Sequence, residues 1–549
     1  GYVQRLFGPG IRTGRMMAIA LGLLMLIGLW LVTKRLAGHW WAGAAIWTVT
    51  TNSALIKVYS QAISQVLVAC MLVWVLVLIT GRGRSLWQIL LGVLLASLLF
   101  LTRINMAPVL PLVIAYVFWQ YGKKPGLIAL LLGSTAVIIG HAAYWPDILK
   151  LWAKWIPEAI SPFLNAYRLP TGVIPFWNPS MGLSNRIGSL RLSLQMHFIP
   201  FVGAFGATFF LALKSYRSKD RQDIRSGWLI VSLFLILFLA HALASLGLNY
   251  CVYCLRNYLA FFSPIGLILL GIFGRKAASI VPKSTSMRLI VSLMVVPFLL
   301  GFPLGPRLSE TLLETDVTRI SALSLQPGTH KLSVLLENYF GLTGVALDRI
   351  GQFMIYAMLI LIPLIAVIVS RFFSKRDRQP DKLAVNSLIP GLVALFVLEI
   401  GMANAYFGTG YYDYDCGEDV IKANEDVGEY LDEKVPEEST VYWGVGRSPV
   451  PLLYLSNRDV FPSQLNGDYT YMLSGDSGVL EKFGYWDSRL AESWLLEADY
   501  VLVEERVYSD LFSFGFDREH YDEITPTPRT DPCRKDSAIM IFRYLDGLE

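Results

Sequence analysis

Long apolar runs, separated by short basic or polar stretches, dominate the first three quarters of the chain. A membrane-crossing helix needs about 20 mainly apolar residues, and such runs lie at about 16–33, 40–56, 61–80, 86–102, 106–120, 126–146, 196–213, 227–247, 257–273, 288–305, 350–370 and 387–406. The pattern predicts a polytopic α-helical membrane domain of about 12 spans over 1–406. Beyond it the period changes. Val420, Ile421, Val427 and Leu431 keep a helical spacing that Val435-Pro436 closes, and Thr440-Val441-Tyr442-Trp443-Gly444-Val445 reads as a strand. Leu490 to Ala498 reads as a helix, and Tyr500-Val501-Leu502-Val503 and Ala538-Ile539-Met540-Ile541-Phe542 as further strands; Pro451 to Leu455 suits a strand or a short helical turn. That order predicts a small C-terminal α/β domain over 407–549.

Charge sharpens this division. The whole chain carries only +5, but residues 1–406 hold 35 Lys and Arg against 12 Asp and Glu, while 407–549 hold 12 against 30. Two environments are implied. Hydrophobic residues make up 54% of the chain and the mean hydropathy is +0.49, above what a soluble domain carries. Loops containing Lys34-Arg35, Arg82/Arg84, Lys123-Lys124, 214–225, 275–288 and 371–382 hold 20 basic residues; the alternate loops, over nearly twice the length, hold 12. The first set is therefore expected to face the cytoplasm. The second, with its long loops at 147–195 and 306–349, is expected to face outward together with the acidic tail, in an inner or plasma membrane. Counting back places residues 1–15 outside, and one more helix with an outer loop is expected upstream of Gly1.

The chain shows no Walker-type loop, HExxH, GxSxG or metal-ligand cluster, and nothing in it calls for nucleic acid. Chemistry is sought instead among polar groups at membrane depth and at the outer helix ends. Arg103 and Asn105 end one span, Arg256 and Tyr258 open another, and Glu399 lies inside the last. Arginine at the water-lipid boundary suits phosphate, being permanently charged with paired donors. Asp147 and Glu158 are the acids of the first long outer loop, whose Trp152, Trp155, Phe163, Tyr167, Phe176 and Trp177 suit either an interfacial anchor or the wall of a lipid or sugar groove. Cys416 and Cys533 bracket the tail as a candidate disulfide, whereas the Cys251/Cys254 pair reads as two buried thiols.

Leu101-Thr102-Arg103, Arg256-Asn257-Tyr258 with Pro264, Leu6-Phe7-Gly8 with Arg12 and Arg15, Tyr59-Ser60-Gln61, and the tail's Ala498-Asp499-Tyr500-Val501-Leu502-Val503 together resemble the C-type superfamily of membrane glycosyltransferases. The likeness is to the protein O-mannosyltransferase and aminoarabinose-transferase-like branch that uses polyprenyl-phosphate sugars. The resemblance implies sugar transfer from a polyprenyl-phosphate donor to a protein, lipid or glycan acceptor in the cell envelope, including protein glycosylation. It implies phosphate binding by Arg103 and Arg256, aided by Tyr258 and Asn105. In that superfamily the catalytic carboxylate lies in the first outer loop, which is expected upstream of Gly1; Asp147 and Glu158 are the candidates left within these residues for a base, or for holding a divalent metal ion. The alternative is a catalytically inactive scaffold subunit, or a carrier or flippase of lipid-linked sugar.

Overall fold

A computed structural model describes residues 2–153, 161–168, 197–212, 221–244, 256–280, 332–376, 420–444, 450–462, 476–482, 486–530 and 536–545, with a few isolated positions between them. The chain divides into two compact units: residues 18–143 with 178–411, and residues 1–17 with 144–177 and 412–549.

The larger unit is a helix bundle. Its described helices are α1 (Ile11–Ala37, from Ala18 onward), α2 (His39–Thr51), α3 (Ser53–Tyr59), α4 (Ser64–Ile79), α5 (Leu86–Thr102), α6 (Val109–Tyr121), α7 (Lys123–Ala143), α8 (Phe198–Ala212), α9 (Arg221–Ala244), α10 (Leu259–Ile280), α11 (Leu332–Phe340) and α12 (Gly344–Arg376). A two-stranded hairpin, β1 (Arg319–Ser321) and β2 (Ser324–Gln326), belongs to the same unit. Among the described residues four stretches, Ile11–Ala37, Ile104–Tyr121, Lys123–Ala143 and Ile224–Ala242, are long and apolar enough to cross a membrane; shorter apolar helices accompany them. The molecule is a membrane protein. The expected spans at 288–305 and 387–406, with Glu399, lie outside the described residues.

The run at 40–56 is not one span. Asn52 leaves the helix in an extended conformation, ends α2, and its side-chain oxygen accepts from the Leu55 amide to start α3. An Asn at that point satisfies an orphan donor of the new helix and favours the break over a continuous helix. Elsewhere the bundle closes on small residues. A Cβ at Gly203 would stand 2.8 Å from the Gly266 carbonyl, and one at Gly266 would meet Pro200 at 2.6 Å, so α8 and α10 pack backbone to backbone. Phe210 and Phe273 stack across that contact at 5.7 Å, and Tyr59 donates to the Ala260 carbonyl, tying α3 to α10.

The smaller unit is built on a five-stranded sheet of β3 (Thr440–Gly444), β4 (Asp459–Phe461), β5 (Tyr500–Glu504), β6 (Tyr521–Ile524) and β7 (Ile539–Tyr544), in the order β4-β3-β5-β7-β6. The strands β4, β3 and β5 run parallel; β7 joins β5 antiparallel, and β6 joins β7 likewise. Because side chains alternate across a strand, Val441, Trp443, Tyr500 and Leu502 face one layer with Val427 and Leu431 of α13 (Val420–Lys434). Tyr442, Val501 and Val503 face the other, with Leu490, Trp494 and Leu495 of α14 (Ser488–Glu497). The apolar runs at β3 and β5 are continuous for that reason: both faces are covered. Residues 450–453 settle as a 3-10 turn. Lys150 donates to the Lys482 carbonyl at 2.7 Å and Arg12 pairs with Glu425 at 2.9 Å, fastening the N-terminal and 144–177 segments onto this unit.

Asp487 caps α14. It is buried, and its carboxylate accepts from the Leu490 amide at 2.9 Å and the Ser477 hydroxyl at 2.8 Å. Burial opposes its charge, but those donors together with Arg489 outweigh it and hold the carboxyl below its ordinary value of 3.8. A lowered folded-state pKa contributes stability that is present above the unfolded value and lost as pH falls through the folded one. Asp487→Ala is therefore expected to cost about 1 kcal/mol at neutral pH, with the gap to the native protein closing once pH drops below the usual aspartate range. Hydrogen-exchange protection of α14, followed against pH, checks both parts; a gap that stays constant into acid sinks the assignment.

Candidate functional site

Chain connectivity brings the start of α4, the end of α5, the end of α9 and the start of α10 to one end of the bundle. Leu86–Thr102 ends because Arg103 turns extended (φ −150, ψ 126) while its amide still donates to the Leu99 carbonyl. Residues Ile104–Met106 then make one 3-10 turn, and Pro108 stands at the start of α6. Proline lacks the amide that a continuous helix would use at that position. Arg103 and Asn105 are thereby left at the helix end.

Arg103 donates from Nη1 to the Ser64 hydroxyl at 3.0 Å, at the first turn of α4. Among the described residues no carboxylate pairs with it. Its charge reaches both Tyr258 and His241. Asn105 Nδ2 lies 2.8 Å from His241 Nε2, and His241 Nδ1 lies 2.7 Å from the Leu237 carbonyl. A carbonyl only accepts, so Nδ1 carries the ring proton, and a neutral ring then accepts at Nε2 from the Asn105 amide. That polarity points the Asn105 amide nitrogen at His241 and leaves the Asn105 carbonyl oxygen buried, with no partner among the described residues. Tyr258, Phe261 and Phe262 surround the His241 ring at 4.9, 5.5 and 5.5 Å between centroids and fix its plane.

The arrangement offers one guanidinium with donors to spare and one buried acceptor, two residues apart and held on different anchors. Such a pair suits an anionic oxygen on the first and a hydroxyl on the second. Three of the four binding residues expected from sequence, Arg103, Asn105 and Tyr258, join at this place. Arg256 begins the 3-10 turn Arg256–Tyr258 that opens α10. Sequence reasoning missed His241 and Ser64. A histidine inside an apolar span was the available signal for the first; a serine at a helix start carries little signal.

The remaining candidates fall elsewhere. Asp147 is exposed in the smaller unit and paired with Lys150 at 2.9 Å, as an ordinary solvated carboxylate is. Glu158, Glu399, Cys416, Cys533, Cys251 and Cys254 lie outside the described residues. Among the described residues no group of three or more His, Cys, Asp or Glu could hold a metal ion.

No protein-family profile matches the chain, and no curated protein matches it. Two solved structures are similar to it in chain course. ArnT from Cupriavidus metallidurans bound to undecaprenyl phosphate is 12% identical with a TM-score of 0.46, the match covering 100% of this chain and 86% of that one. The same protein in the apo state is 11% identical with a TM-score of 0.44, covering 98% and 85%. Likenesses of this size are loose, and they name no residue of this site.

Proposed function

We propose that this chain is a membrane glycosyltransferase that takes its sugar from a polyprenyl-phosphate donor and passes it to an acceptor on the extracytoplasmic face. The observation that carries the reading is the guanidinium of Arg103, with no carboxylate partner among the described residues, beside the Asn105 carbonyl oxygen, which is likewise unsatisfied among them. Arg103 holds the donor phosphate, and Asn105 accepts from a hydroxyl of the donor. In the reaction the bond between the sugar's anomeric carbon and the phosphate oxygen breaks. The acceptor's nucleophilic atom bonds that carbon, its proton passes to a carboxylate base, and the polyprenyl phosphate leaves with the electron pair. Charge grows on the phosphate as the bond breaks, so a fixed cation there lowers the barrier as well as binding the ground state. His241 positions Asn105 and does not itself reach the reacting atoms.

The reading is tested with a photoactivatable polyprenyl phosphate and the full chain in proteoliposomes. Crosslinks are expected within residues 101–106 or 256–262, suppressed by unlabelled polyprenyl phosphate and not by an equal amount of phosphatidylglycerol. Labelling that ignores the polyprenyl competitor, or that falls only on lipid-facing α7, overturns it.

A further inference from the structure

The opposite end of the same helices carries a second arrangement of arginines. Arg35, in the last turn of α1, donates from Nη1 to the Val77 and Thr80 carbonyls at 2.8 and 2.7 Å. Arg84 donates from Nε to the same Thr80 carbonyl at 3.0 Å. Between them lies Gly81, buried at φ +97, where a Cβ would stand 2.5 Å from Arg35 Cδ, 3.4 Å from Arg35 Nε and 3.5 Å from Arg84 Nη2. The two guanidiniums are thus held within about 7 Å of one another, a repulsive arrangement of like charges. Among the described residues neither has a carboxylate partner.

The loop that brings them together is fixed from several sides. Tyr121 donates to the Ile79 and Gly81 carbonyls at 2.6 and 3.3 Å, and the Gly81 amide donates to the Ser226 hydroxyl at 3.4 Å. Tyr116 meets that same hydroxyl at 2.9 Å. Since the carbonyls occupy only part of each arginine's donor set, Arg84 Nη1 and Nη2 and Arg35 Nη2 have no hydrogen-bond partner among the described residues. A single anion accepting from both would relieve the repulsion.

We propose that Arg35 and Arg84 form a binding site for a lipid-borne phosphate, filled by an anionic phospholipid headgroup. The chain around the pair favours a lipid over a free ion. Three residues after Arg84 stands Trp87, 82% exposed, and five after Arg35 stands Trp40, 92% exposed. Indoles in such positions sit at the headgroup level of a bilayer, where acyl chains continue past the phosphate. The site is remote along the helices from Arg103 and does not depend on sugar transfer.

Native mass spectrometry of the full chain, released from nanodiscs containing phosphatidylglycerol and phosphatidylcholine, tests this. The native chain is expected to retain a phosphatidylglycerol adduct, and Arg84→Gln to lower its occupancy about tenfold, the loss of one charge-assisted phosphate contact. Arg84 gives the backbone one bond only, and Arg35→Lys serves as the second variant should folding suffer. An adduct unchanged in both variants overturns the site. Displacement of the adduct by millimolar inorganic phosphate overturns the lipid source and assigns the arginine pair to a free ion instead.

Discussion

Arg103→Ala is expected to lower the rate of sugar transfer by about two to three orders of magnitude, the effect of removing a preorganised cation from a developing oxyanion. The variant is a clean one on structural grounds. Arg103 hydrogen-bonds the Ser64 hydroxyl and the Tyr258 side chain, and its removal leaves no buried carboxylate unpaired among the described residues. The fold should therefore survive while the site loses its charge. Arg103→Lys keeps the charge and loses the planar fork, and an intermediate rate is expected. The steady-state rate with a radiolabelled polyprenyl-phosphate sugar, compared with the dissociation constant of polyprenyl phosphate itself, separates ground-state binding from stabilisation of the leaving group. A rate within threefold of native for Arg103→Ala would falsify the placement of the phosphate.

Much of this site was readable from residue type and position, and some was not. An arginine at the end of an apolar run, followed two residues later by asparagine and then by Pro108, announces a helix end with functional groups on it. The partnership of Asn105 with His241 could not be read that way, because it joins residues 136 apart through the packing of α9 against the turn after α5. The same distinction runs through the sheet. Strands β3 and β5 are legible since both faces are buried and their residues are continuously apolar. The edge strand β4 has three residues, the first of them an exposed Asp459, and β6 reads Tyr521-Asp522-Glu523-Ile524 with two adjacent exposed acids at its centre. Edge strands of that kind carry polar side chains, and nothing local distinguishes them from loop. Asn52 marks a third limit: within an apolar stretch, a helix break depends on whether one amide side chain caps a new helix or stays in the old one.

Arg458→Ala is expected to destabilise the sheet-bearing unit by about 3 kcal/mol. The Arg458 side chain is 2% exposed and sends hydrogen bonds to the Asp432, Val435, Pro436 and Ser456 carbonyls and to the Asp432 carboxylate. Asp432 lies in the last turn of α13 and Val435 and Pro436 directly follow it, and Pro436 has no amide to reach back to the last helical carbonyls. The guanidinium thus does the work of a helix cap from the other side of the β3–β4 connection. Asp432 is 59% exposed, so the ion pair itself contributes little; the cost arises from orphaned carbonyls and from the space left behind. Two further variants separate these causes. Arg458→Met fills the stem's volume and leaves the carbonyls unpaired, so it should lose nearly as much as alanine. Arg458→Lys can reach one or two of them and should recover part of the loss. Hydrogen-exchange protection of β3 and α13 in the full chain reads all three, because α13 covers one face of β3 through Val427 and Leu431. If methionine restores native protection, packing and not carbonyl capping holds this corner together.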